Sequence, residues 1–133
     1  MEVLHRAIAG IGSNVADKEA LVAGACARMR ERLADFSVSA LYITPAEGGC
    51  AGGPDYCNAV AEFSTADDFE TLNAFFKELE ALFGRTPADK AAGRVPLDID
   101  IVVWDGRVLR PRDMEREYMR IGLRRLGIAV PER

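Results

Sequence analysis

An α+β fold of ferredoxin-like type, βαββαβ, an antiparallel sheet with its helices on one face, is what this chain predicts. Three observations predict it. Four stretches carry the apolar patterning of strands, two segments with helical apolar spacing separate them, and glycine- or proline-rich breaks fall between. The chain has 133 residues, enough for one hydrophobic core, and reads as a single domain over 1–133.

The elements follow in order. Arg6 to Ile11 (RAIAGI) is short and apolar, a first and largely buried strand. Gly12-Ser13-Asn14 ends it and Asp17 suits the N-cap of a helix from Lys18 to about Ala34. Along that helix Leu21, Ala25, Met29 and Leu33, with Val22 and Cys26 beside them, form the apolar side. A glycine-led turn into a helix can hold phosphate. This one has neither GxGxxG nor GxxxxGK[ST], so its reading is structural. Phe36 to Thr44 is a second strand, and Pro45 through Pro54 (PAEGGCAGGP) is a glycine-rich loop of the kind that carries function. Asp55 to Thr65 is a third strand, with Cys57, Ala59, Ala61 and Phe63 on one face and Tyr56, Asn58, Val60 and Glu62 on the other. Tyr56 and Asn58 therefore emerge together beside the loop, as a binding pair or as a polar strand end.

Ala66-Asp67-Asp68 opens a second helix whose stripe is Leu72, Phe75, Phe76, Leu79, Leu82 and Phe83, closed by Gly84. Glu80 lies off the stripe and faces either solvent or a site. Arg85 to Arg94 is a second loop, with Arg85, Lys90 and Arg94 as its basic residues. Val95 to Trp104 is the last core strand, Asp105-Gly106 a turn, and Arg110 to about Leu126 a closing helix with Pro111 in its first turn.

That last strand bears the chemistry. Leu97, Ile99, Ile101 and Val103 alternate as its core face, leaving Asp98 and Asp100 on the other. Two residues of rise put these carboxylates roughly 6.6 Å apart on one side of the sheet. A hard divalent cation would relieve their repulsion, and Mg²⁺ takes one or two carboxylates plus substrate phosphates. Spacing alone equally permits two solvated aspartates.

Composition narrows the partners. The net charge of -4 argues against nucleic acid as the partner, although arginines from Arg107 to Arg133 give an acidic chain a basic end. Cys26, Cys50 and Cys57 have no CxxC spacing and read as reduced thiols of a cytoplasmic protein, and His5 has no second histidine with which to bind metal. No apolar run has the length of a membrane span and no signal segment opens the chain, so no membrane is expected. The oligomeric state is not encoded in any of these features.

Collected, these pieces resemble the 6-hydroxymethyl-7,8-dihydropterin pyrophosphokinase family of folate biosynthesis. The likeness is carried by Ile11-Gly12-Ser13-Asn14; by Tyr42 with Thr44-Pro45, then Pro54-Asp55-Tyr56 and Asn58-Ala59; by Glu80 with Gly84-Arg85; and by Leu97-Asp98-Ile99-Asp100-Ile101. It spans roughly residues 7 to 123. The resemblance implies transfer of the β,γ-pyrophosphoryl group of ATP to the pterin hydroxymethyl, with release of AMP. It implies that Asp98 and Asp100 hold two Mg²⁺ ions and that ATP is co-substrate. It further implies a pterin site of Thr44, Pro45, Tyr56, Asn58 and Tyr118, in which Thr44 and Pro45 contribute backbone contacts and the two tyrosines stack on the ring. Arg116-Glu117-Tyr118 is similar to the family's Arg-x-Phe, so Arg116 would grip phosphate as a catalytic residue. Arg85, Lys90, Arg94, Arg112 and Arg116 make up the implied ATP site.

The chain departs from the family pattern in places. Where the family's second loop bears arginines and a tryptophan, Pro87, Ala88, Ala91, Ala92 and Val95 stand here, and Arg112 stands in place of a histidine. The sequence ends soon after Leu123, where the family usually continues. Arg112, Arg116 and Arg120, spaced i, i+4, i+8, would share a helical face and supply phosphate-binding charge. Two other readings stay open: a pterin- or nucleotide-binding module that has lost transfer activity, and a kinase for another hydroxymethyl heterocycle.

Overall fold

A computed structural model describes residues 3–47 and 51–130. Its strands are β1 (His5–Ser13), β2 (Ala34–Val38), β3 (Tyr42–Thr44), β4 (Tyr56–Thr65), β5 (Asp98–Trp104) and β6 (Arg107–Val108). The helices are α1 (Lys18–Arg32), α2 (Phe69–Leu82), α3 (Pro87–Ala91), α4 (Pro111–Glu115) and α5 (Glu117–Arg125). The fold is mixed α+β around an open antiparallel sheet in the order β2-β4-β1-β5-β6, with β3 also paired to β4. Central β1 runs against β4 from His5↔Thr65 to Ser13↔Cys57, and against β5 on its other side.

Alternation along the strands sorts the side chains into two layers. Ala7, Ala9, Ile11, Cys57, Ala59, Ala61, Phe63, Leu97, Ile99 and Ile101 pack with Val22, Ala25 and Met29 of α1 and Leu72, Phe76 and Leu79 of α2. Each fully buried large side chain of this layer contributes about 1.5–3 kcal/mol. The opposite face is not left bare, as helices on one face would require. Ile8, Val60 and Val102 pack there against Met114 of α4 and Met119 and Leu123 of α5. The closing segment's apolar residues thus complete a second, smaller core.

Several sequence expectations change in detail, and two of the changes build the site. Phe36–Thr44 is two strands. Ser39 interrupts them, its N–H donating to the Val60 carbonyl at 2.9 Å and its hydroxyl accepting from the Val60 N–H at 3.0 Å. Pairing shifts by one residue across the break, from Val38↔Ala61 to Tyr42↔Asn58. A one-residue shift turns side chains to the other face, so Tyr42 and Thr44 join Asn58 while Val38 stays with α1 and α2. In β5, Ile101 pairs with Ala9 but Val103 with Ile8, leaving Val102 as a bulge residue. Val103 therefore packs with the second core, not with Leu97, Ile99 and Ile101.

The segment 85–94 is not all loop. Pro87 opens α3, and the Asp89 carboxylate accepts from the Thr86 N–H at 2.6 Å and the Thr86 hydroxyl at 3.1 Å. The closing helix is two helices, because Arg116 (φ -80, ψ 146) is extended between them. Arg112 thus sits on α4 and Arg120 on α5, with Arg116 at the break, and the expected shared helical face does not form. The Asp105-Gly106 turn does form, with φ of 48 and 81, the paired positive values of a tight hairpin. Among the described residues no helix is long and apolar enough to cross a membrane.

Candidate active site

The open part of the second face, between the α4–α5 pair and the end of β3, is a cavity of about 160 Å³. Its floor is β1, where Gly10 and Gly12 present no side chain. Gly12 pairs with Asn58 on one side and Asp98 on the other, and Gly10 pairs with Asp100. Two strand spacings separate Asn58 from Asp98, roughly 10 Å across a bare glycine. A Cβ at Gly12 would sit 3.5 Å from Asn58 Oδ1 and 3.6 Å from the Tyr56 ring. The floor is thus low enough for a flat ligand to lie over it.

Thr44, Pro45, Tyr56, Asn58, Tyr118, Asp98 and Asp100 all line this one cavity. The Asn58 amide is buried, and its Nδ2 donates to Thr44 Oγ1 at 2.8 Å. The Thr44 hydroxyl thereby occupies the amide nitrogen and leaves Oδ1 toward Gly12. Tyr118 is held at both ends. Its hydroxyl donates to Asp113 Oδ1 at 2.6 Å, and its carbonyl accepts a short hydrogen bond from the Tyr42 hydroxyl.

The carboxylate pair is electrostatically uneven. Asp98 accepts from Arg85 Nη1 at 2.9 Å. Burial alone would raise the Asp98 carboxyl, but hydrogen bonds from Asp100 and Arg85 hold it below its ordinary value. Burial and then the neighbouring Asp98 push Asp100 up to about 8. Near neutral pH, without a cation, one proton is shared across the pair. Arg110 stands 3.9 Å from Asp100 and forms a short ion pair with Asp113.

Two clamps set β5 in place. The Asn14 side chain donates to the Gly93 carbonyl at 2.9 Å and accepts from the Val95 N–H at 2.6 Å. β1 runs on through Gly12 and Ser13, and Asn14 just beyond it is a structural tie to the segment leading into the aspartates. Glu80 is buried, neither in solvent nor at the cavity; its Oε2 accepts from the Ile99 N–H at 2.9 Å and its Oε1 pairs with Arg85 at 3.2 Å. Glu80→Ala leaves that N–H, between the two aspartates, without its partner and takes one of its two carboxylates from Arg85. It is expected to lower stability by about 2–3 kcal/mol, read by urea denaturation. A loss under about 0.5 kcal/mol would show that the clamp is idle.

The basic residues are dispersed. Arg85 meets Asp98, whereas Arg94 pairs with Asp89 at 3.4 Å and Lys90 is exposed on α3. Arg112 and Arg116 line a depression with Glu115 and Glu117, and among the described residues Glu47 lines both it and the cavity. Sequence reasoning missed Asp113, Arg110 and Glu47, all of which touch the cavity or its acids. No local pattern marks them: Asp113 meets Tyr118 because the helix breaks at Arg116.

A family model described as 7,8-dihydro-6-hydroxymethylpterin-pyrophosphokinase (HPPK) matches residues 8–127. The chain belongs to the HPPK family. HPPK enzymes are pterin pyrophosphokinases of folate biosynthesis that use ATP and Mg²⁺. No curated protein matches the chain. Among solved structures, a Burkholderia cenocepacia protein described as an amidohydrolase/peptidase is 18% identical with a TM-score of 0.35, over 95% of this chain. The chain spans 34% of that protein's length, and nothing is inferred from so loose a likeness.

The donor set suits the family's metal. Asp98 and Asp100 are hard oxygen donors with surplus negative charge, as the upward shift of Asp100 records. Among the described residues no group of three or more His, Cys, Asp or Glu is gathered to cage an ion. Mg²⁺ fits such a site, because it completes its shell with water and substrate phosphate.

Proposed function

We propose that this HPPK-family chain, as a single ferredoxin-like domain, transfers pyrophosphate from ATP to 6-hydroxymethyl-7,8-dihydropterin, releasing AMP. The observation that carries this reading is the joint lining of one glycine-floored cavity by Tyr56, Asn58 and Tyr118 together with Asp98 and Asp100. Flat rings with polar edges suit two aromatic side chains and an oriented amide. In the reaction the substrate hydroxyl oxygen bonds to the β-phosphorus, the bond from that phosphorus to the α,β-bridging oxygen breaks, AMP departs with that oxygen, and the hydroxyl proton is lost. Asp98 and Asp100 would hold the magnesium, which supplies charge neutralisation for the polyphosphate when bound. Tyr56 and Tyr118 orient the heterocycle, Asn58 Oδ1 accepts a hydrogen bond from its edge, and Thr44 keeps that amide turned. Arg116 and Arg112, in the neighbouring depression, would meet phosphate at the cavity mouth, and Arg85 steadies Asp98. The enzyme would work in the cytoplasm on small-molecule substrates alone.

A second reading has its own support. Lys90 and Arg94 stand away from the cavity, and Arg85 and Arg110 already attend the two aspartates. A module that binds pterin or nucleotide without transfer would have such a thinned triphosphate grip. Incubation with ATP, Mg²⁺ and the dihydropterin separates the two. The transferase releases AMP in step with pterin pyrophosphate, and the absence of AMP above the level of an Asp98→Ala, Asp100→Ala control would refute it.

A further inference from the structure

Among the described residues four carboxylates border the cavity, and three of them have partners: Asp98 has Arg85, Asp100 has Asp98 and Arg110, and Asp113 takes Tyr118 and Arg110. Glu47 differs. It is half-buried, lines the cavity just after β3, and its Oε2 is shut off from solvent with no hydrogen-bond partner. Leaving a carboxylate oxygen in that condition costs free energy that a native chain ordinarily avoids. A ligand presenting N–H donors would satisfy it; a phosphate would be repelled by it.

We infer that Glu47 is a specificity-determining residue, its carboxylate accepting the adjacent amino and ring N–H donors of a 2-amino-4-oxo pyrimidine edge. The inference rests on the heterocycle reading above and gives it a direction. Glu47 lies three residues beyond β3, and β4 and β1 stand between β3 and the aspartate strand β5 in the sheet. A pterin whose amino edge meets Glu47 and whose ring lies over Gly12 directs its hydroxymethyl group toward Asp98 and Asp100.

The test is calorimetry with 6-hydroxymethylpterin and its 2-deamino counterpart, on the parent protein, Glu47→Gln and Glu47→Asp. The parent should bind the amino compound about ten- to a hundred-fold tighter, as expected for a charge-assisted pair of hydrogen bonds. Glu47→Gln, which swaps one acceptor for a donor, should lose that discrimination, and the shorter Glu47→Asp should retain part of it. Affinity for ATP with Mg²⁺ should not move in either variant, and neither should melt below the parent. Equal discrimination by Glu47→Gln and the parent would overturn the role of Glu47 and leave the transferase reading intact. A parent that releases AMP but does not distinguish the two heterocycles would do the same. A parent that binds neither compound and releases no AMP would overturn both.

Discussion

Asp100→Asn is expected to lower AMP release roughly a thousand-fold and yet to melt higher than the parent in EDTA at pH 8. Both results come from one feature. Burial and the Asp98 charge push Asp100 up to about 8 in the folded protein, against an unfolded value of about 3.9. Between those values the folded chain keeps a proton that the unfolded chain has released. The contribution of Asp100 to the stability of the metal-free fold is therefore greatest at the low end and is lost as pH rises from about 4 to about 8. Asparagine cannot ionise, so the variant lacks that slope. The gain at pH 8 should be on the order of 1–2 kcal/mol, several degrees in melting temperature, because partial exposure and Arg110 screen the pair. Adding Mg²⁺ should raise the melting temperature of the parent at pH 8 more than that of the variant. Melts at pH 5 and pH 8 check the sign: a variant melting below the parent in EDTA at pH 8 would show that no excess negative charge is stored there.

The same pair marks what was legible in the sequence. Asp98 and Asp100 could be read because strand alternation is strict up to Ile101, and the same rule placed Asn58 and Tyr56 opposite Ala59 and Ala61. The rule failed where the ladder carries an extra residue. Nothing in Phe36–Thr44 announces that Ser39 will take over the hydrogen bonds of Val60, yet that one-residue shift is what turns Thr44 toward Asn58. The arginine face was lost for a similar reason. Its i, i+4, i+8 spacing assumes an unbroken helix, and Arg116 is extended. Glu80 and Glu47 lay beyond any local pattern, since a carboxylate's partner, or lack of one, is set by residues distant in sequence. The residues that the family resemblance implied for pterin and metal line one cavity, while the implied ATP-site cations are dispersed in a way the resemblance did not signal.

The helix that closes the cavity depends on a residue that propensity alone would replace. Within α5, Ala is favoured over Gly by about 1 kcal/mol, so Gly122→Ala looks stabilising. Packing reverses the sign. A Cβ at 122 would lie 2.3 Å from Val60 Cγ2 and 2.6 Å from both Val60 Cβ and the Tyr42 hydroxyl. Val60 is fully buried on β4, and its Cβ cannot move without the strand; the Tyr42 hydroxyl is engaged at the Tyr118 carbonyl. The helix must lift instead, at a cost of about 3 kcal/mol or more, or roughly 10 °C in melting temperature. Lifting α5 carries Tyr118 and Met119 away from the cavity they line, so pterin affinity should fall at temperatures where the variant is still folded. Gly24→Ala in α1 is the control. There the new Cβ would meet the Phe83 ring at 3.1 Å, and that ring is only partly buried and can shift, so the change should stay within about 1 kcal/mol. If Gly122→Ala melts as high as Gly24→Ala and binds pterin as the parent does, α5 does not seat on β4 at this glycine, and the cavity loses the wall that holds Tyr118.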